Sequence, residues 1–368
     1  MRGFLSITWF LSLASFVTAA DIATIETPHG ARQPQLAVDA SSNVHVTFGA
    51  EGKVFYTRST DAGSTFSAPT EVAEIGSLAL GMRRGPRIAV SGESIVIAAI
   101  GHSGAEGDGN LYSWRSRDQG ASWQGPLRVN DVDASAREGL HGMAGGPNGD
   151  LYCTWLDLRG NGTQVFGSRS ADGGATWSAN VLIYQSPDGT VCECCHPSVA
   201  MDETGGVYVM WRNSLDGNRD MYLATSRDHG ETFEPATKLG EGSWPLNACP
   251  MDGGAIASSA GGKISTVWRR DHEIFLTDGG LFKENRIGVG TQPSAAADQH
   301  GFYAVWLSNG IGRLYFARSA KDQPVKLADD AQYPVVASHS AGKGPVVVAW
   351  ESEGNVGPVI KVVAIDRE

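Results

Sequence analysis

Positive charge is scarce in this sequence of 368 residues: 29 Lys and Arg stand against 40 Asp and Glu, a formal net charge of −11. That balance argues against nucleic acid and anionic membrane surfaces as partners, because a phosphate surface needs a basic footprint. Long apolar runs are scarce too. The main one, Phe4 to Val17, follows Arg2, the single charge before Asp21, and closes on Thr18-Ala19-Ala20. This is the charged, apolar and small-residue order of a secretory signal peptide, and it is too short to span a bilayer comfortably. Residues 1–20 are read as a leader, and 21–368 as one domain in a secreted, periplasmic or extracellular setting. No Cys stands at the cleavage point, which argues against a lipid anchor, and no later stretch reads as a membrane span. Without Arg2, 28 basic residues face 40 acidic ones and the net charge becomes −12.

Cysteine is sparse and odd in number: Cys153, Cys192, Cys194, Cys195 and Cys249. In an oxidising compartment at least one of them is free, metal-bound or paired with another molecule. Cys153 lies within a strand pattern and reads as a buried core thiol.

Glycine, by contrast, is plentiful at 47 residues, and short strands lie between turns. One motif, Ser-x-Asp-x-Gly-x-(Thr/Ser)-aromatic, recurs at Ser59 to Phe66, Ser116 to Trp123, Ser170 to Trp177 and Ser226 to Phe233, with a degenerate copy at Thr277 to Gly280. Its chemistry is that of a tight turn: the carboxylate accepts backbone N–H groups, Gly supplies a positive φ, and the aromatic pins the turn to the core. A second repeat consists of alternating strands ending in Trp155, Trp211, Trp268, Trp306 and Trp350, and these rings are expected to pack between units. A third repeat places a strand-opening Pro at Pro34, Pro86, Pro197, Pro250, Pro293 and Pro334, with Leu140 in the equivalent slot of the third unit.

The turn motif is the Asp box, or BNR repeat, and over nearly the whole of 21–368 the chain resembles the sialidase-like Asp-box β-propeller superfamily. The seven openings predict an all-β, seven-bladed β-propeller, with six blades as the runner-up. The last unit has room for only three strands, so the N-terminal segment Ile22 to Thr27 is expected to supply the fourth and close the ring. In such propellers the boxes lie on one face, and the loops that frame the channel mouth lie on the other.

One of those loops concentrates soft ligands: Cys192-Glu193-Cys194-Cys195-His196 precedes Pro197, and Cys249 precedes Pro250 in the next unit, the apparent counterpart of His196. Thiolates and imidazole suit copper first and zinc next. Arg219, Asp220 and Asp252 are candidates to support such a site from behind. Disulfides compete with the metal, either Cys195 with Cys249 or an adjacent Cys194–Cys195 pair. The text also matches C-x-x-C-H, but a third Cys inside the motif and the following Pro argue against covalent haem c. The loop is similar to one in a subgroup of bacterial Asp-box proteins, a likeness that assigns it no chemistry.

The superfamily resemblance implies a second class of function, a sialidase-like exo-glycosidase acting on acidic glycans. Such an enzyme needs an arginine cluster for a carboxylate and a Tyr nucleophile. Arg84, Arg212 and Arg270, from three units, and Tyr333, beside Pro334, are the positions that match. The family's Arg-Ile-Pro signature is absent; the nearest text is Arg84-Gly85-Pro86-Arg87-Ile88. A third class is a non-catalytic module binding a protein, a glycan or a small molecule at the channel mouth.

Overall fold

The structure, a computed structural model, describes residues 21–102, 108–308, 312–355 and 357–367. The leader read from residues 1–20 lies outside them. Among the described residues the architecture is all-β: apart from one 3-10 turn at Pro147–Gly149 every element is a strand. Among these residues no helix is long and apolar enough to cross a membrane.

Strands pair antiparallel in chain order. Arg32–Val38, Val44–Ala50, Lys53–Ser59 and Thr70–Glu74 form one set. The order repeats from Arg87–Ser91 to Gln124–Arg128, from Ala136–Gly145 to Val181–Tyr184, from Ser198–Met201 to Thr237–Lys238 and from Ala255–Ser258 to Asn285–Val289. Thr291–Asp298 opens the last sheet, and its long strand Val325–Ala337 pairs first with Gly312–Ala317 and then, after a bulge, with Val346–Gly354. That sheet ends with Gly357–Ile365, which pairs antiparallel with Ala23–Ile25. The first strands of successive sets are neighbours, and Val325–Ala337 adjoins Arg32–Val38.

The core lies between sets, where β-branched and aromatic side chains of one pleated face meet the next. Val46 and Phe48 pack on Val347, Ala349 and Val362. The five repeat Trp residues are all at most 2% exposed, as expected for packing residues, and Cys153 is fully buried.

The four Asp boxes are pins between neighbouring sets. Asp228 accepts the Thr232 N–H at 2.9 Å, and Ser226 Oγ accepts the Gly230 N–H at 2.8 Å. Phe233 then meets Tyr152 of the preceding set edge-on, with centroids 6.1 Å apart. Trp123 meets Tyr56 in the same manner at 5.2 Å, and Trp177 donates to Ser113 Oγ at 2.8 Å. The glycine is required by space as well as by φ: a Cβ on Gly230, at φ +87°, would lie 2.0 Å from the Tyr152 ring. The degenerate copy is not a box, because Asp278 turns its carboxylate to Ser265 and Lys263.

Register corrects two alignments. In the third set His141, not Leu140, stands opposite Trp155 and holds the opening slot. In the fourth set Ser198 faces Met210, so Pro197 flanks Trp211; in the fifth Ala255 faces Val267, so Gly254 flanks Trp268. Pro250 therefore stands four residues before the slot, and the counterpart of His196 is Gly253 rather than Cys249.

Candidate functional site

The boxes and the cysteine loop occupy opposite faces. Val38, Val44 and Ser59 lie at the same strand ends, beside the first box. The cysteine loop sits at the other end, where Cys192 N–H donates to Arg212 O at 3.0 Å. A cavity of about 500 Å³ runs along the first strands and is lined at the box end by Asp39, Ser91, Gly146, Asp202, Ser259 and Ser340. The wide part of the channel thus faces away from the cysteine loop.

The loop end of the channel is packed with polar groups. Gln33 N–H donates to Glu351 at 2.6 Å. Arg83 donates to the carbonyl oxygens of Pro334, at 2.9 Å, and Gln292. Arg87 reaches Gly85 O and Pro86 O, and Asp252 accepts the Gln292 N–H at 2.7 Å. His141 is held between Gly139 O and Ala98 O. Burial pushes Glu351 up to about 7 and His141 down to about 3. Burial also draws Arg87 down to about 9, which leaves it charged at neutral pH.

The cysteine loop is tied to its neighbours before any ligand is considered. Val191 N–H donates to Thr163 O at 3.0 Å. Thr163 and Thr190 hydroxyls both donate to Glu193 at 3.2 Å, and Arg137 Nε donates to Glu193 O at 3.0 Å. Glu193 is thereby a staple, a role its place between two cysteines concealed.

Cys194 and Cys249 form a disulfide, with Cα atoms 6.2 Å apart. Both expected pairings are therefore corrected: the partner of Cys249 is Cys194, because the early placement of Pro250 carries Cys249 to the outer sulfur of the loop. A disulfide sulfur is not a thiolate, so neither Cys194 nor Cys249 offers a charged ligand while the bond stands. Cys192 and Cys195 are free, buried and 3.0 Å apart at sulfur. Cys194 Sγ lies 3.7 Å from Cys192 Sγ and 3.9 Å from Cys195 Sγ, so three sulfurs form a group that could hold a metal ion. His196 does not join it: Nε2 turns to Gly254 O at 3.1 Å, and the residue is half-buried.

Electrostatics separate the two thiols. The hydrogen bond it shares with Cys195 draws Cys192 below the usual thiol range; burial opposes this and Arg212 assists it. Burial, followed by its bond to Cys192, pushes Cys195 well above the usual thiol range. Burial and the charges of Arg83 and Arg87 hold His196 well below the ordinary imidazole value.

The supporting residues divide. Asp252 borders the cluster, since its backbone N–H reaches the Cys195 sulfur. Arg219 is near enough to favour the Cys192 thiolate and is anchored on Ser214 Oγ. Asp220 faces elsewhere: it accepts the Trp244 N–H at 2.8 Å and pairs with Lys238 at 3.3 Å. Its carboxylate braces the loop fold and does not address the sulfurs.

The arginine cluster expected of a sialidase is not assembled. Arg84 pairs with Glu138 at 2.5 Å between the second and third sets. Arg212, 1% exposed, donates to three carbonyl oxygens, those of Asp252, Arg219 and Arg269. Arg270 pairs with Glu284 over the Phe275 ring. Arg212 and Arg270 share a narrow crevice with Arg219 and Trp268, and Arg84 is not part of it. Tyr333 is half-buried at φ +47° beside Arg83. Further round the rim, Arg159 braces Asp157 and Asp131. The saturation of Arg212 by carbonyl groups from distant segments had no signal in the sequence.

Comparison with known proteins agrees with this architecture. A BNR repeat-like domain matches residues 96–248. No curated protein matches the sequence. Among solved structures, the α-L-arabinanase of Penicillium chrysogenum complexed with arabinobiose is 14% identical, with 95% of this chain and 98% of that one covered and a TM-score of 0.52. A polysaccharide lyase of family PL25, an ulvan lyase, is 12% identical over 95% and 96% of the two chains, with a TM-score of 0.58. A Hadza microbial sialidase is 15% identical over 91% of this chain and 65% of its own, with a TM-score of 0.51. These structural likenesses show the fold, and the BNR repeat-like match agrees with the Asp-box resemblance over residues 96–248.

Proposed function

We propose that this BNR-type chain is an exported, seven-bladed β-propeller, closed by Ala23–Ile25, that binds one copper(I) ion through the thiolates of Cys192 and Cys195. The observation that carries the reading is the buried dithiol, two sulfurs 3.0 Å apart on a loop stapled by Glu193. Soft thiolates select copper(I) and zinc among biological metals. A structural zinc site wants four donors. Cys194, Cys249 and His196 are engaged elsewhere, so copper ranks first and zinc second. Two thiolates on a monovalent ion leave a net negative charge, which the nearby Arg212 and Arg219 offset. The seven-blade count is supported by the succession of antiparallel sets, and the closure by the pairing of Gly357–Ile365 with Ala23–Ile25. Export is supported by the leader pattern and by the disulfide.

The test is a copper(I) titration of anaerobically purified protein against a coloured copper(I) chelator. A single ion is expected to be taken up by the wild type and by Cys249→Ser and Cys153→Ser, and lost in Cys192→Ser and Cys195→Ser. Uptake that survives both of the latter substitutions removes the site.

A glycan ligand is the second reading. It is supported by the polysaccharide-active names of the structural neighbours. Sialidase chemistry within that reading lacks its arginine set, so a fluorogenic sialoside is expected to turn over at background. Robust turnover abolished by Tyr333→Phe would reverse the ranking.

A further inference from the structure

The four sulfurs of the loop region are arranged by depth. Cys192 and Cys195 are buried and reduced; Cys194, half-buried, is bonded to Cys249, which is exposed. Cys194 Sγ is the inner member of that disulfide, and it lies 3.7 Å from one thiol and 3.9 Å from the other. The two thiols lie 3.0 Å from each other. A buried dithiol therefore touches the inner sulfur of a disulfide whose outer sulfur faces solvent, and no backbone segment separates the two pairs.

We infer that the loop is a thiol–disulfide relay, in which the buried dithiol passes two electrons through the surface cysteine pair to the disulfide of an external protein or small molecule. Exchange proceeds by attack of a thiolate on a disulfide sulfur. In the first step Cys192, having given up its proton, attacks Cys194 Sγ. The Cys192–Cys194 bond forms, the Cys194–Cys249 bond breaks, and Cys249 leaves as a thiolate that takes up a proton. In the second step Cys195 attacks Cys192 Sγ. The Cys192–Cys195 bond forms, and Cys194 leaves and is protonated. One disulfide and two thiols are present before and after, so the exchange consumes no oxidant. Its product is a surface dithiol, Cys194 and Cys249, which reduces an external disulfide by the same two attacks and re-forms its own bond. The depth order sets the direction of access: an external disulfide meets Cys249 first, and the electrons come from the sulfurs that solvent does not reach. This relay uses the same two thiols as the proposed copper site but needs no metal.

The test is time-resolved alkylation of metal-free, folded protein without reductant. A thiol reagent is added, and the labelled and bonded cysteines are mapped by mass spectrometry. Uncatalysed disulfide rearrangement takes minutes to hours, so the label is followed over that span. The expected result is label accumulating on Cys249 and Cys194 together with a new Cys192–Cys195 disulfide, because alkylation traps the exchanged form. In Cys195→Ser the label is expected on Cys249 alone, with Cys192 bonded to Cys194. In Cys192→Ser the label on Cys249 is expected to be lost, and in Cys153→Ser it is unchanged. Thermal melts of each variant show whether it is folded. A Cys194–Cys249 bond that persists unlabelled in the folded wild type overturns the relay. So does label on Cys249 at the same rate in folded Cys192→Ser. Because no copper is present, failure here leaves the copper titration untouched, and failure of that titration leaves this result untouched.

Discussion

Glu351 shows how one side chain can carry a cost of placement. It is 3% exposed at the packed end of the channel, accepts the Gln33 N–H, and is pushed up to about 7 by burial. An unfolded glutamate titrates near 4.3. Between those values the unfolded chain gives up its proton while the folded one keeps it, so stability falls as pH rises through that window. Glu351→Gln keeps an acceptor for Gln33 and removes the ionisation. Its melting temperature should exceed that of the wild type above pH about 7, with the gain vanishing below pH about 4. Thermal scans at both ends check this, and an equal shift at both contradicts it. The cysteine pairing turned on a residue-scale detail of another kind. The Pro250 repeat suggested that Cys249 mirrors His196, but the strand starts later, at Ala255. A local motif could not report that offset, because register is set by the facing strand Ile264–Arg270.

At the scale of the element, the Asp box was legible because all its partners lie within five residues. Asp172 accepts Ala175 N–H, Thr176 N–H and the Thr176 hydroxyl, and Ser170 Oγ accepts Gly174 N–H. What the sequence did not disclose is the surface the box seals, since Tyr56 and Tyr152 belong to the preceding sets. Two substitutions separate those contributions. Asp172→Ala removes acceptors in an exposed turn and should cost about 1 kcal/mol. Gly230→Ala drives a methyl group into the Tyr152 ring at a positive φ and should cost about 1–3 kcal/mol. Chemical denaturation measures both. A Gly230→Ala effect no larger than that of Asp172→Ala would show that the box is merely a turn. Neither change should alter copper uptake, because the boxes lie on the face away from the loop.

For the whole molecule, composition and repeats gave the all-β class and the two-faced arrangement. The filled loop end of the channel and the separation of Arg84 from Arg212 and Arg270 came only with the chain in three dimensions. Arg212 illustrates the reason: its three carbonyl partners belong to residues 252, 219 and 269, which no spacing rule connects. The proposed closure of the ring belongs to this scale. Removing residues 21–26 deletes the partner of Gly357–Ile365 and exposes that strand's edge. The truncated chain should melt at lower temperature and aggregate, while an unchanged melt would mean that the ring does not depend on that strand. The central claim, that the propeller holds a soft metal on the Cys192/Cys195 dithiol, is tested most directly by X-ray absorption at the copper edge of the loaded, folded protein. A first shell of sulfur alone that disappears in Cys192→Ser is the predicted result; a shell of nitrogen and oxygen, or one unchanged by that substitution, contradicts the assignment.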